Sequence, residues 1–213
     1  MIMNEIEIKS SKFYNANHLV IILHGYGNSG ADYIQAIEKF FTNDLEDSVF
    51  ILPDAPDPCD TWTGRQWFPL KLEGMTYEEI RHGLDETAPK LAEYINRKMA
   101  LYNCTKISLI GISQGAFLAL EMIYHANISF VISYCGLFAR PEGKLPIQHP
   151  QILLIHSNND KIVPYTYAQK AKTDLEELGL DVELKTYPNI GHSISTDGWK
   201  YGASALREFY QKR

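Results

Sequence analysis

Ser113 stands between two glycines, Gly111-Ile112-Ser113-Gln114-Gly115, where the apolar run "KISLI" gives way to the helical pattern "QGAFLALEMIYHA". A serine hydroxyl becomes a useful nucleophile only when a base takes its proton. The G-x-S-x-G turn from strand to helix is a way to present one, because its glycines let a strained backbone pass close to its neighbours. The plainer reading is a tight turn with a bystander serine. A base and an acid elsewhere in the chain decide between the two.

Seven histidines are present. His18 and His125 flank strands or helices, His82 lies within a helical pattern, and His149 sits in a proline-bounded loop. His192 differs, because "YPNIGHSIS" puts it in a glycine-flanked loop between the last strand and the last helix, where an imidazole can reach across strand ends. A carboxylate is then needed to fix the imidazole tautomer and stabilise the imidazolium. Asp160, in "LLIHSNNDKIVP", follows an apolar strand and lies between Ser113 and His192. Asp54 and Asp57 are rivals, but they precede the serine. The order Ser113, Asp160, His192 is the serine–acid–histidine order of α/β-hydrolases.

A tetrahedral intermediate also needs hydrogen-bond donors for its oxyanion. One expected donor is the amide of Gln114, which opens a helix. The other is expected from "LHGYGNSG" (23–30), with the Tyr26 amide as the candidate. The competing reading of that segment is a phosphate-binding loop, since Gly25, Gly27 and Gly30 fit G-x-G-x-x-G. No acidic residue follows a second strand at the distance that ribose binding asks for, although Asp54 is loosely placed. A metal site among His24, His156, Asp160 and His192 finds no compact ligand pair. Neither a metal nor an organic cofactor is expected.

These side chains need a scaffold that brings strand ends together. Apolar runs at 18–25, 48–56, 106–111, 129–136 and 151–157, and a strand at 182–188, alternate with helical patterns at 31–41, 76–101, 114–126, 167–179 and 196–212. Strands alternating with helices imply an α/β fold, here a mostly parallel central sheet covered on both faces. In such sheets ligands gather at the carboxyl ends of the strands. Thr76 and Glu79 form a capping box at the start of the longest helix, and Pro89 inside it predicts a kink or a break. Residues 137–150 are too few for a helical cap domain. The segment "DPCDTWTGRQWFPLKLEGM" (57–75) is the longest irregular stretch, and Trp62, Trp67, Phe68 and Leu70 in it are expected to line an apolar groove beside Ser113. The alternative is that they plug the loop onto the core. Arg65 is read as a solvated charge rather than an anion contact.

The chain has 213 residues, 45% of them hydrophobic and 22% charged, which fits one globular domain spanning 1–213. A net charge of −6 with no basic stripe argues against nucleic acid. Cys59, Cys104 and Cys135 are odd in number with no C-x-x-C spacing, which points away from a disulfide framework and towards a reducing compartment. The charged first ten residues lack the apolar core of a signal peptide, and no run is long enough to span a membrane. A cytoplasmic protein is expected.

Taken together, "HGYGNSG", "PDAP", "GISQGA", D-x-x-V-P at 160–164 and "GHSI" at 191–194 resemble the phospholipase/carboxylesterase family, which includes the acyl-protein thioesterases. The resemblance runs from about residue 18 to 210 and looks nearest to bacterial carboxylesterase-like members, with "GRQWF" at 64–68 matching a family Trp–aromatic pair. It implies an α/β-hydrolase without a large lid, acting on esters or thioesters of acyl chains. Carried over, the triad falls on Ser113, Asp160 and His192, and the oxyanion amides on Tyr26 and Gln114. Two positions depart from the family pattern: Ala116 stands where a second glycine is common, and Pro69 where an acidic residue is common. The expected chemistry is acyl transfer through a covalent intermediate. A lysophospholipase or acyl-protein thioesterase is the rival within the class, and a non-catalytic binding module the rival outside it. An acyl ester or an acylated protein is the expected partner, and an exposed apolar groove could equally serve a homodimer.

Overall fold

A strand with apolar residues on both sides needs cover on both faces, and the computed structural model gives each such run that cover. It describes residues 4–43, 45–60, 63–71, 74 and 76–211. The strands are β1 (Glu5–Lys9), β2 (His18–Leu23), β3 (Ser48–Pro53), β4 (Asp57–Pro58), β5 (Arg65–Gln66), β6 (Lys106–Ile112), β7 (Phe130–Tyr134), β8 (Gln151–Ser157) and β9 (Asp181–Tyr187). The α-helices are α1 (Ile34–Phe40), α2 (Tyr77–Tyr102), α3 (Gln114–Glu121), α4 (Tyr165–Glu177) and α5 (Thr196–Gln211). Seven strands form one sheet in the order β1-β3-β2-β6-β7-β8-β9. Every pairing in it is parallel except β1 with β3.

Alternation along the strands sorts the core into two layers. Leu19, Ile21 and Leu23 of β2 face one side with Ile107, Leu109 and Val131, under Leu84, Leu91 and Ile95 of α2, Leu118 of α3 and Leu175 of α4. Val20 and Ile22 face the other side with Ile110 and Ile132, under Ile37 of α1 and Trp199, Ala203 and Leu206 of α5. Because β2, β6, β7, β8 and β9 run parallel, their carboxyl ends share one edge, where Ser113, Asp160 and His192 follow β6, β8 and β9. Residues 135–150 between β7 and β8 contain no helix, so no large cap lies over that edge.

Four features depart from the sequence expectations. β1 lies in a segment that gave no strand signal, and the hairpin β4–β5 lies in one read as irregular. The alternation in "EIEIK" is that of an edge strand, and it is tied to α2 by hydrogen bonds from Tyr94 and Lys98 to Glu5. α2 passes through Pro89 without a break. Pro89 and Asp85, whose carbonyl loses its amide partner, are both exposed, so water can take the orphaned acceptor. α3 ends at Glu121 and tightens into a 3₁₀ turn over Met122–Tyr124.

Gly83 of α2 receives the Phe68 ring where a side chain would otherwise stand: a Cβ there would lie 2.3 Å from Phe68 Cδ2 and 2.9 Å from Phe68 Cβ. Gly83→Ala is therefore expected to cost about 1–3 kcal/mol through overpacking, despite the better helix propensity of alanine. Denaturant midpoints measured on both proteins check this, and an unchanged or higher midpoint would contradict it.

Candidate active site

The turn after β6 is strained by design of its neighbours. Ser113 has φ 51° and ψ −116°, a backbone that L-residues adopt only when the surroundings dictate it. Gly115 permits the close approach of β2, since a Cβ there would sit 2.1 Å from the Leu23 carbonyl oxygen. Gly111 permits the packing of α3 on its own strand, since a Cβ there would sit 2.5 Å from Ala116 Cα. The Ser113 amide donates to the Tyr134 carbonyl at 2.9 Å, and its carbonyl accepts from Ala116 and Phe117 at 2.8 and 3.1 Å. The hydroxyl is left facing the strand edge.

His192 spans the gap to Asp160. Its Nε2 lies 2.9 Å from Ser113 Oγ and its Nδ1 lies 2.7 Å from Asp160 Oδ2. Asp160 Oδ1 accepts from the amides of Ile162 at 2.9 Å and Val163 at 3.0 Å. His156 is buried, and its Nε2 lies 2.8 Å from the Val163 carbonyl and 3.3 Å from Asp160 Oδ2. Burial alone would raise the Asp160 carboxyl. The hydrogen bonds from His156, His192 and the Val163 amide outweigh it and hold the group well below the usual carboxylate range. A carboxylate facing Nδ1 places the imidazole proton there and leaves Nε2 as the acceptor for the serine hydroxyl.

Side-chain amides stitch the acid loop to the histidine loop, a feature that sequence reasoning missed. Asn159 Oδ1 accepts from the Gly191 amide at 2.8 Å and from Ser157 Oγ at 2.7 Å. Ser157 Oγ accepts from the Ile190 amide at 3.3 Å, and Asn158 Oδ1 from the Asn189 amide at 3.2 Å. The signal available in the sequence was only "SNND", a polar run after a strand, which also describes an ordinary turn.

Gln114 heads α3 and is fully buried. Its side-chain Oε1 accepts from the Trp67 amide at 2.9 Å and its Nε2 donates to the Phe68 carbonyl at 2.7 Å. Across the site, the chain after β2 passes close to the elbow, with a Cβ at Gly25 reaching 3.5 Å from Ser113 Cβ. Tyr26 follows on the wall of the adjacent cavity. The neighbouring amides are already bonded within the protein: Gly27 to the Arg65 carbonyl, Asn28 to the Gly25 carbonyl, Ser29 to Asp32 and Gly30 to Asp54. A loop with its amides spent in this way is a poor phosphate cradle, which removes the dinucleotide reading of 25–30.

Arg65 corrects another expectation. Its guanidinium donates to the carbonyls of Ala55 and Pro56, and its backbone bridges to Asn28, so it locks two loops together. His24 is likewise structural: it is buried, pairs with the Gly25 carbonyl through Nδ1 and accepts from the Ala55 amide through Nε2.

Trp67, Phe68 and Leu70 do not line the space beside Ser113. Trp67 is 1% exposed and donates from Nε1 to the His24 carbonyl; Phe68 and Leu70 are buried with it in the α2/α3 layer. The loop turns its apolar side chains inward because that layer offers a core and the strand edge does not. Trp62 lies outside the described residues. A cavity of about 520 Å³ opens beside Ser113 and His192 on the opposite, α1/α5 side, walled by Tyr26, Tyr33, Ile112, Ile162, Ile194 and Trp199. These residues come from four separate stretches of the chain, so no local spacing announces them.

Among the described residues, the one group of metal-ligating side chains close enough to share an ion is Cys135, Asp160 and His192. Burial pushes the Cys135 thiol up to about 12, and it donates to the Ser193 carbonyl. A protonated thiol and an imidazole with both nitrogens engaged suit proton handling rather than metal ligation. All three cysteines are buried, and no described helix is long and apolar enough to cross a membrane.

A mostly parallel seven-stranded sheet with a serine elbow after a central strand and no large cap among the described residues defines the α/β-hydrolase class. The chain belongs to the phospholipase/carboxylesterase family, whose sequence profile matches residues 3–207. Esterase YpfH of Escherichia coli K12 is 27% identical over 197 residues, covering 90% of this chain and 83% of its own. Acyl-protein thioesterase 1 homolog 1 of Dictyostelium discoideum is 25% identical over 194 residues, covering 84% of each chain. The crystal structure of esterase PE8 superposes with a TM-score of 0.91 at 29% identity, covering 98% of this chain and 100% of that one. The protein is a hydrolase of this family.

Asn159→Ala removes the acceptor that holds Gly191, one residue from the imidazole. It is expected to lower kcat on an ester substrate by about 10–100-fold through misorientation, with KM nearly unchanged. Steady-state kinetics beside a melting curve test this, and an equal loss of stability and activity would assign Asn159 to folding alone.

Proposed function

We propose that the protein cleaves carboxylic esters, and thioesters of the same acyl groups, through an acyl-enzyme intermediate on Ser113. One observation carries this reading: an unbroken hydrogen-bonded line from Ser113 Oγ through both nitrogens of His192 to Asp160, at 2.9 and 2.7 Å. His192 Nε2 takes the hydroxyl proton as Oγ attacks the substrate carbonyl, and Asp160 stabilises the imidazolium that forms. The tetrahedral oxyanion is received by the amides of Gln114 and Tyr26. The imidazolium then protonates the leaving alcohol or thiol, and the carbonyl re-forms as the acyl-enzyme. Water, deprotonated by the same Nε2, attacks that ester and releases the acid and the serine.

The family relationship supports the substrate class. Its named members here include esterases and an acyl-protein thioesterase. The cavity beside the hydroxyl is walled mostly by apolar and aromatic side chains, which suits a bulky organic substituent of the ester. All steps use groups of one chain, which we take to act as one domain over 1–213.

The test is hydrolysis of p-nitrophenyl esters from acetate to palmitate by the wild type, Ser113→Ala and Asp160→Asn. Ser113→Ala is expected to lose several orders of magnitude in kcat while keeping its melting temperature. Asp160→Asn is expected to lose on the order of 10⁴, because the amide favours the wrong imidazole tautomer. Full turnover by Ser113→Ala would refute the nucleophile. Absence of turnover by the folded wild type, on thioesters as well, would favour a binding module on a hydrolase fold.

A further inference from the structure

The cavity beside Ser113 carries a charge signature that catalysis does not require. Asp32 is among its lining residues, and no Lys or Arg is among those lining residues that are described. Among the described residues of that wall, Asp32 is the one Asp, Glu, Lys or Arg. Its carboxylate is held in place, with Oδ2 accepting from the Ser29 amide at 2.7 Å and from Ser29 Oγ at 3.1 Å. Among the described residues no ion pair neutralises it. Both of its fixed contacts are neutral donors, so its charge remains available to a ligand.

The wall around that carboxylate is aromatic. Tyr26, Tyr33 and Trp199 line the same cavity, and the Tyr33 and Trp199 rings lie 6.4 Å apart, centroid to centroid. The Tyr33 hydroxyl donates to Asn28 Oδ1 at 3.2 Å, which turns its polar atom to the protein. Burial also pushes that phenol up to about 12, so it stays neutral. A buried carboxylate, Asp160, lies behind His192 and adds to the negative potential of the site. Aromatic rings in the wall and an exposed, unneutralised carboxylate at the edge of a largely apolar cavity form an environment that attracts an organic cation and repels an anion.

We infer that this cavity selects ester substrates bearing a quaternary or other bulky organic cation over uncharged substrates of the same shape, and that Asp32 sets the preference. The inference rests on the acyl-transfer reading above for its kinetic arm only. A bulky, weakly hydrated cation gains from the ring faces and from Asp32 without the full desolvation cost of a small ammonium ion. An anionic substrate meets Asp32 as a like charge.

The experiment compares a choline ester with the 3,3-dimethylbutyl ester of the same short acid, which has the same shape without the charge. The ratio of kcat/KM for the two is expected to favour the choline ester by roughly fivefold or more at low ionic strength. Asp32→Asn keeps an acceptor for the Ser29 amide but removes the charge, and should bring the ratio near one. Salt at about 0.5 M, where the Debye length falls to roughly 4 Å, should reduce the wild-type ratio in the same direction. Because each ratio is taken within one protein, a partly misfolded variant does not mimic the result. A wild-type ratio at or below one, or a ratio that Asp32→Asn leaves intact, would overturn the inference. A second arm titrates choline and 3,3-dimethylbutanol into the resting protein by NMR. Stronger perturbation by choline, lost in Asp32→Asn, supports the site even if neither ester is turned over, which would then count against the acyl-transfer reading alone. Equal perturbation by the two ligands would overturn the inference whatever the kinetics.

Discussion

The left-handed backbone of Ser113 is the constraint on which the rest of this site depends. A non-glycine residue held at φ 51°, ψ −116° costs about 1–3 kcal/mol, and the structure must supply that from packing around it. It does so with contacts that leave no room for relaxation. α3 is buried along its whole length, Gly115 lies against the end of β2, and Gly136 lets the β7 loop approach Ala116. The same contacts fix where β2 ends, so the chain from His24 to Asn28 has one path past the hydroxyl. Strain at one residue thereby sets the position of the loop proposed to receive the oxyanion.

Around this rigid centre, side chains do much of the joining of loops, with a backbone bridge at Asn28 and Arg65. Gln114 uses both ends of its amide to hold Trp67 and Phe68, and Arg65 in turn holds the loops at 27–28 and 55–56. Asn158 and Asn159 do the same between the acid and histidine loops. Each of these bonds is worth about 1 kcal/mol net, and leaving the buried Gln114 amide unpaired would cost more. The result is a gradient of enclosure from the acid to the base. The Asp160 side chain is fully enclosed, whereas that of His192 keeps 24% of its surface exposed at the cavity.

The parts of this arrangement legible in the sequence are those written as local patterns. β8 is visible at its observed bounds because "QILLIHS" is apolar and ends in polar residues. The start of α2 is visible because Thr76 and Glu79 meet in a capping box. Gly111 and Gly115 mark the elbow because both are needed for one backbone path. β1 is harder to read, since an exposed edge strand with alternating Glu and Ile carries little of the apolar signal of a buried one. The orientation of Trp67 and Phe68 is not local at all. Aromatic residues in a long loop suit a groove or a core equally well, and the gap at Gly83 that receives Phe68 lies in another element.

The inward turn of that loop has a consequence for the cavity. With Trp67, Phe68 and Leu70 committed to the α2/α3 layer, much of the described wall beside Ser113, which Ile112 and Ile162 complete, comes from the segment after β2 and the segment around His192, on the α1/α5 side. The latter also carries the imidazole, so Ile194 and Trp199 cannot move far without moving His192. The former is free of that coupling at its outer end: Asp32 and Tyr33 lie in a short 3₁₀ turn anchored by Ser29 and by the Gly30–Asp54 bond. Substitutions there can alter which substituent the cavity accepts while leaving the line from Ser113 to Asp160 undisturbed. Selectivity is therefore separable from proton transfer on this side of the sheet, and residues 32 and 33 are where the physical separation is greatest.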